Sequence, residues 1–212
     1  MSKTKIKICG IKDINILDCC IDNKIDYFGL IFFNKSCRNI SLSRAKKLTS
    51  YSISKPISSV GVFVDKPMQD LKEILSDIKF DYVQLHGSED NNYIDEIKKN
   101  YPIKIIKVLH IKKQEDFKNA RKSTSADMFL LDYKPSNNEL PGGNAKKFSW
   151  SLLSDINLNK PWFLSGGINI NNINEIKNYA TPFGIDISSG VEEKPGIKSR
   201  EKIFSLLKNY ES

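Results

Sequence analysis

The sequence has few of the residues that build zinc sites or disulfide frameworks. Only two histidines, His86 and His110, and four cysteines occur in 212 residues. The cysteines are Cys9, Cys19, Cys20 and Cys37, and none of them forms a C-x-x-C pair. This spacing argues against a metal site, and we expect none.

Long apolar runs are also absent. The longest, such as Phe28–Phe33, span only a few residues, whereas a membrane helix needs about 20. The first residues lead directly into a strand-like alternation and lack the apolar segment of a signal peptide. We therefore expect a cytoplasmic protein without a membrane segment, in which the cysteines are reduced thiols.

The charge balance is basic but dispersed. The net charge is +8, and the lysines are spread along the whole chain, many on the polar faces of predicted helices, as at Lys46-Lys47 and Lys98-Lys99. This distribution favours a solvated basic surface over a nucleic-acid-binding stripe, so we expect no nucleic-acid partner. A basic field also attracts anionic small molecules.

Eight short apolar segments alternate with helical patterns at intervals of roughly 25 residues. The predicted strands are Lys5–Ile8, Tyr27–Phe32, a segment within Pro56–Val64, Tyr82–Leu85, Lys104–Leu109, Met128–Asp132, Trp162–Ser165 and Gly184–Ile187. Strands that are covered by helices pair in parallel through crossover connections. The pattern predicts one α/β domain over residues 1–212, a single (βα)8 TIM barrel with parallel strands, and an open doubly wound sheet is the competing architecture.

The helix boundaries carry recognisable signals. Asp13 is placed to cap the first helix, Ser41 or Ser43 the second, and Asp65, just before Lys66-Pro67, the third. The pattern over 113–121 is poor in apolar residues, so that helix is expected to be irregular.

In a barrel of this kind the site lies at the carboxyl ends of the strands. Reactive or anion-binding residue types gather at those predicted ends: Cys9, Arg38, Asp65, His86, His110, Asp132, Gly166-Gly167 and Ser188-Ser189-Gly190.

Several of these side chains have two interpretations. Cys9 is either a small buried filler or a reactive thiol, and Lys7 one layer below it would favour the thiolate. Asp132 either caps the following loop or takes part in catalysis. His86 is as well explained by a hydrogen bond to a loop as by a ligand contact, and His110 is interpreted as structural.

The last two strands carry a signal for phosphate. Gly166-Gly167 allows backbone N–H groups to approach an anion closely. Ser188-Ser189-Gly190 offers hydroxyls and further N–H donors, and a short helix could begin there. A Gly-Gly pair alone is a common turn, but phosphate binding after strands seven and eight recurs in this barrel.

The motifs follow one another in a family order along nearly the whole chain. They are Lys7–Ile11, Gly29–Phe32, Lys35–Arg38, Val60–Val64, Val83–Gly87, Leu130–Asp132, Gly142-Gly143, Phe148–Trp150, Leu164–Ile168, Gly184–Glu192 and Pro195–Lys198. As a set they resemble the phosphoribosylanthranilate isomerases of tryptophan biosynthesis.

The resemblance implies an Amadori rearrangement of N-(5-phosphoribosyl)anthranilate to 1-(2-carboxyphenylamino)-1-deoxyribulose 5-phosphate. Cys9 matches the family's general base and Asp132 its general acid. The iminium intermediate acts as the electron sink, so no cofactor is implied. The implied partner is a phosphorylated small-molecule substrate, for a monomer or homodimer.

The resemblance also places the substrate-binding residues. Arg38 matches the position that pairs with the anthranilate carboxylate, for which a planar guanidinium fork is suited. Gly166-Gly167 and Ser188-Ser189-Gly190 match the phosphate loops. Asp186 lies at the end of strand eight, two residues before Ser188, so it faces inward if Ser188 does and would contact a sugar hydroxyl or fix its loop. His86 and Lys7 join the expected substrate-binding residues because of their places on the predicted strands.

One segment departs from the family pattern. The family usually has Gly-Gly-Thr-Gly-Lys after strand six, where this chain has Gly142-Gly143-Asn144-Ala145-Lys146. That loop covers the substrate in the family, so closure is expected to differ.

Two other classes of protein compete with this interpretation. One is a different phosphate-binding barrel, such as a ribulose-phosphate epimerase or the histidine-pathway isomerase, which would call for metal-ligand histidines or a carboxylate pair. The other is a non-catalytic barrel that binds a phosphorylated ligand or a partner chain. Cys9 opposite Asp132 disfavours the other enzymes, and the presence of Cys9, Arg38 and Asp132 together argues against the non-catalytic barrel.

Overall fold

Eight parallel strands close into a barrel in the computed structural model, which describes residues 3–122, 125–134, 136, 147–154 and 156–211. The strands are β1 (Lys5–Cys9), β2 (Tyr27–Phe32), β3 (Ser58–Phe63), β4 (Tyr82–Leu85), β5 (Lys104–Ile111), β6 (Met128–Tyr133), β7 (Trp162–Leu164) and β8 (Gly184–Ile187). Each strand pairs with the next, and β8 pairs with β1 from Lys5↔Gly184 to Ile8↔Ile187. The predicted (βα)8 barrel is confirmed, and the open sheet is wrong because β1 and β8 have no free edge.

Helices follow the strands but are not uniform. The α-helices are α1 (Ile14–Asp22), α2 (Leu42–Ser52), α3 (Met68–Asp77), α4 (Asn91–Asn100) and α5 (Arg200–Glu211). In the described parts of the connections after β5, β6 and β7 the helices are 3₁₀ helices, at Gln114–Arg121, Trp150–Leu153 and Ile173–Asn178. The irregular segment expected after β5 is confirmed, since Phe117 and Ala120 are its only apolar residues. Within the ranges that the structure describes, no helix has the length and apolarity needed to cross a membrane.

Two of the predicted helix caps are confirmed and one is wrong. The Asp13 carboxylate accepts from the N–H of Asn15 at the start of α1, and Ser41 rather than Ser43 caps α2. Asp65 does not cap α3, because Pro67 occupies that position. The Asp65 carboxylate instead accepts from the N–H and hydroxyl of Ser88, so it joins the loops after β3 and β4.

The barrel interior changes from apolar to polar along the strands. Its apolar part consists of inward-facing residues of five strands: Tyr27, Val60, Val62, Ile106, Val108, Met128, Leu130 and Phe163. Tyr27 contacts Tyr82 and Phe163 edge-on, with ring centroids 5.4 and 5.3 Å apart, which fills the amino-terminal end. The same inward register then places Cys9, Asp132 and Asp186 towards the carboxyl ends.

Candidate active site

A cavity of about 400 Å³ lies at the carboxyl ends of the strands. It is lined by seven of the residues that the sequence singles out, contributed by β1, β6, β8 and the loops after β2, β4 and β8: Cys9, Arg38, His86, Asp132, Asp186, Ser188 and Ser189. Residues distant in the sequence therefore meet at one end of the barrel, where enzymes of this architecture hold their substrates.

Cys9 ends β1 and is 4% exposed. Burial raises the pKa of its thiol, because a charged thiolate is poorly solvated inside the barrel. The positive charges of Lys7 and Lys198 lower the pKa of Cys9, and the negative charge of Asp186 raises it further. As expected, the Lys7 charge favours the thiolate, but desolvation outweighs it, so the pKa of Cys9 stays above its ordinary value.

Lys7 lies one layer deeper and has no exposed surface. Its ammonium donates to Asp186 Oδ1 at 2.9 Å, across the pairing of β1 with β8. Burial alone would lower the pKa of Lys7, but Asp186 and Cys9 outweigh this and raise it. Lys7 is not part of the cavity lining, so it acts on the site through Asp186 and the thiol rather than by facing a ligand.

Asp132 lies in β6, in register with His110 on β5. Its Oδ1 accepts from the N–H of Tyr133 at 2.8 Å, and its Oδ2 is 3.3 Å from His86 Nε2. The two atoms lie close together but are not aligned as a hydrogen bond. Asp132 thus has one oxygen held by backbone and the other beside an imidazole.

The His86 side chain is bonded to Gln84 on its own strand rather than to a loop, and its contact with a ligand stays a prediction. The Gln84 amide nitrogen lies 3.0 Å from His86 Nδ1, and the His86 carbonyl accepts from His110 Nε2 at 3.0 Å. His86 is therefore fixed by its own strand and by β5, while its Nε2 side reaches the cavity and Asp132. Burial lowers the pKa of His110, which agrees with a structural role as a neutral donor.

Arg38 is already engaged by a carboxylate. Its Nε and Nη2 donate to the two oxygens of Glu192 at 2.8 and 2.7 Å, a bidentate pair that joins the β2 loop to the segment after β8. These bonds use two of the five N–H donors of the guanidinium. The ion pair with Glu192 therefore fixes the Arg38 guanidinium at the wall of the cavity.

The loops after β7 and β8 lie against each other. Gly166 and Gly167 have φ values of 92° and 64°, and Gly190 packs so closely on the Ile168 carbonyl that an added Cβ would lie 2.0 Å from that oxygen. Ser165, Ser188 and Ser189 reach the cavity, whereas the glycines flank it. A short 3₁₀ helix, Ser189–Val191, begins here as the sequence allowed.

Sequence reasoning gave no role to Gln84, Glu192 or Lys198. Glu192 and Lys198 stand within the motifs of the resemblance, but nothing in their local pattern indicates that they are buried and paired. Alternation along β4 would have placed Gln84 inward, beside His86. The expected difference in the loop at 142–146 lies outside the described residues.

Comparison with known proteins gives a consistent result. Residues 6–209 match the family model for N-(5'phosphoribosyl)anthranilate (PRA) isomerase. An N-(5'-phosphoribosyl)anthranilate isomerase from Paramagnetospirillum magneticum is 37% identical over 206 residues, covering 96% of this chain and 95% of the relative.

Solved structures agree with the sequence matches. The phosphoribosyl anthranilate isomerase of Thermotoga maritima superimposes with a TM-score of 0.87 at 30% identity, and 98% of each chain is covered. A phosphoribosyl anthranilate isomerase in complex with reduced 1-(o-carboxyphenylamino)-1-deoxyribulose 5-phosphate gives a TM-score of 0.83 at 29% identity, again over 98% of each chain.

These matches extend over nearly the whole barrel and confirm the resemblance that the motifs indicate. They also confirm that the chain is an isomerase, an enzyme rather than a non-catalytic barrel. On the combined evidence of the sequence, the closed barrel and these relatives, the chain belongs to the N-(5'-phosphoribosyl)anthranilate isomerase family.

Proposed function

We propose that this protein converts N-(5-phosphoribosyl)anthranilate to 1-(2-carboxyphenylamino)-1-deoxyribulose 5-phosphate, with Cys9 as general base and Asp132 as general acid. The observation that carries the proposal is that Cys9 and Asp132 line one cavity together with Arg38, Ser188 and Ser189. An acid, a base and groups for two anionic ends are the parts that this rearrangement requires.

The acid step opens the sugar. Asp132 gives its proton to the furanose ring oxygen, the bond from C1 to that oxygen breaks, and the nitrogen lone pair forms the C=N bond of a Schiff base. The carboxyl has to carry a proton beforehand or acquire it in the complex.

The base step moves the second proton. The Cys9 thiolate removes the proton from C2, and the electron pair shifts towards the iminium nitrogen to give an enolamine. Protonation at C1 and loss of the O2 proton then give the ketone, so the net reaction is an isomerisation. The iminium is the electron sink, and each proton transfer is worth about 10²–10⁴-fold in rate.

Binding uses the two ends of the cavity. Arg38 receives the anthranilate carboxylate through the guanidinium N–H donors that Glu192 leaves unused. Ser188 and Ser189, with the N–H groups of the Gly166-Gly167 and Gly190 segments, receive the phosphate. Asp186 lines the cavity, is paired with Lys7 through Oδ1, and accepts from a sugar hydroxyl of the substrate in this proposal.

The test is a fluorescence assay. Phosphoribosylanthranilate is generated in situ, and the loss of its anthranilate-type fluorescence is followed with and without the purified protein. Clear acceleration by the wild type is expected, and its absence would discard the proposed activity.

Two variants test the roles within that assay. Cys9→Ala and Asp132→Asn are each expected to lower kcat by about 10²–10⁴-fold. Cys19→Ala on α1 and Asp95→Asn on the exposed side of α4 are the matched controls, and both are expected to keep wild-type rates. Full activity in either site variant would leave the isomerase but remove the assigned role.

A further inference from the structure

The hairpin that follows β8 buries a lysine and exposes an isoleucine. Its strands are β9 (Glu192–Lys194) and β10 (Ile197–Lys198), and their register shifts between Ile197 and Lys198. Ile197 is 54% exposed, whereas Lys198 is only 7% exposed. Because burying an ammonium costs solvation free energy, this inversion indicates that the charge is held inside for the bonds that it makes there.

All three N–H donors of Lys198 have partners. The ammonium donates to the Ser188 carbonyl at 2.9 Å, to the Ser188 hydroxyl at 3.1 Å and to Glu192 Oε1 at 2.8 Å. An ammonium has no further donors, so this group is fully satisfied without a ligand. Lys198 therefore holds Ser188 and Glu192 in place and has no donor left for a substrate.

Those two neighbours lead to the reactive groups. The Ser188 hydroxyl donates to the carbonyl of Cys9 at 3.0 Å, which ties the end of β8 to the end of β1. Glu192 holds the guanidinium of Arg38 in its bidentate pair. One buried ammonium thus connects the Cys9 backbone, a predicted phosphate-binding serine and the predicted carboxylate-binding arginine.

The buried charges around Cys9 balance only if its thiol is ionised. In the part of the chain that the structure describes, the buried charged groups coupled to Cys9 or to its partners are Lys7 on β1, Arg38 after β2, Asp186 on β8, Glu192 on β9 and Lys198 on β10. Three cations oppose two carboxylates, and a thiolate at Cys9 would complete the balance.

We propose that Lys198 is a positioning residue for the isomerisation. Through Ser188 it fixes the end of β1 at Cys9, and through Glu192 it fixes the guanidinium of Arg38. Its ammonium also supplies the positive charge that a Cys9 thiolate balances. This inference rests on the proposed function. Burial lowers the pKa of Lys198, because the ammonium loses its hydration, while Glu192 and Cys9 act in the opposite direction.

The experiment compares Lys198→Met, Lys198→Arg and, as matched control, Lys177→Met at an exposed lysine. The first readout is kcat and KM in the fluorescence assay. The second is the pH midpoint of Cys9 alkylation by iodoacetamide, obtained by subtracting the rate of the corresponding Cys9→Ser protein. The second readout needs no turnover, so it separates this inference from the proposed function.

Lys198→Met is expected to lower kcat/KM by about 10- to 100-fold, with KM and kcat both affected, and to move the alkylation midpoint to higher pH. Lys198→Arg is expected to restore the midpoint in part, because it keeps the charge. Lys177→Met is expected to match the wild type in both readouts.

A folded Lys198→Met protein with wild-type kinetics and midpoint would overturn the inference. If that variant does not fold, Lys198→Met combined with Glu192→Gln, which removes the opposing charges together, takes its place under the same readouts. Failure of the double variant to fold would also overturn it, since Lys198 would then serve the fold and not the site.

Discussion

Lys7 Nζ and Asp186 Oδ1 lie 2.9 Å apart in the barrel interior, with side-chain exposures of 0% and 5%. The pair lies directly below Cys9, and the two residues are partners in the β1–β8 pairing. Because Asp186 neutralises Lys7, the lysine offsets only part of the desolvation of the thiol. The ion pair therefore links the closure of the barrel to the reactivity of the cysteine.

Lys7→Met is expected to destabilise the protein by about 3–5 kcal/mol, because it leaves the Asp186 carboxylate buried without its partner. Urea unfolding followed by circular dichroism measures the change. Combining Lys7→Met with Asp186→Leu is expected to recover most of the loss, since no isolated charge remains. A single variant as stable as the wild type would contradict the importance of this pair.

The raised pKa of the Cys9 thiol predicts the direction of a pH dependence. The thiolate forms only as the pH rises through the raised value, so Cys9 alkylation is expected to increase beyond the ordinary thiol pKa of about 8.5. Iodoacetamide rates between about pH 7 and 10, corrected with Cys9→Ser, give the midpoint. A midpoint at or below the ordinary value would show that the nearby cations outweigh burial.

Glu192 predicts a loss of stability in acid. Burial acts to raise its pKa, but Arg38 and Lys198 outweigh burial and lower the pKa from 4.5 to about 2. Since the folded-state pKa is depressed, the stabilisation is complete above about pH 4.5 and is lost as the pH falls towards 2. The shift corresponds to about 3 kcal/mol.

Glu192→Gln measures that contribution. Its free energy of unfolding is expected to fall below that of the wild type at neutral pH, and the difference is expected to shrink as the pH falls from about 5 towards 2. Urea titrations of both proteins across this range provide the comparison. A difference that stays constant with pH would assign the effect to packing instead of charge.

Gly29 on β2 makes room for the Cys9 thiol. A Cβ at this position would lie 2.8 Å from Cys9 Sγ and 3.1 Å from Cys9 Cα. Gly29→Ala is therefore expected to cost about 1–3 kcal/mol of stability and to lower kcat by about 10²-fold through displacement of the base.

Gly61→Ala is the matched control for this strand glycine. Its Cβ would meet Phe63 and Phe80 at 2.9 and 3.1 Å, away from the cavity. The control is expected to lose similar stability but to keep kcat. Equal losses of kcat in both variants would attribute the effect to general distortion of the barrel.

The sequence by itself determined the order and kind of most elements. Strands β2, β4 and β8 coincide with their predicted bounds, because short apolar runs between turn residues carry a local signal. The sequence also predicted that Cys9, Asp132 and the serines lie together. This followed because the carboxyl ends of all strands in a parallel barrel lie on the same face. The roles of Cys9 and Asp132 rest on the family resemblance, since spacing left both open.

Only the tertiary structure decided how the charges pair. Lys7 and Asp186 are 179 residues apart and Arg38 and Glu192 are 154 apart, so no local pattern relates them. The inward turn of Lys198 depends on the register shift in the hairpin, and the pKa of Cys9 depends on how completely water is excluded. Electrostatic energies depend on distance in space and on solvation, and neither is defined until the barrel closes.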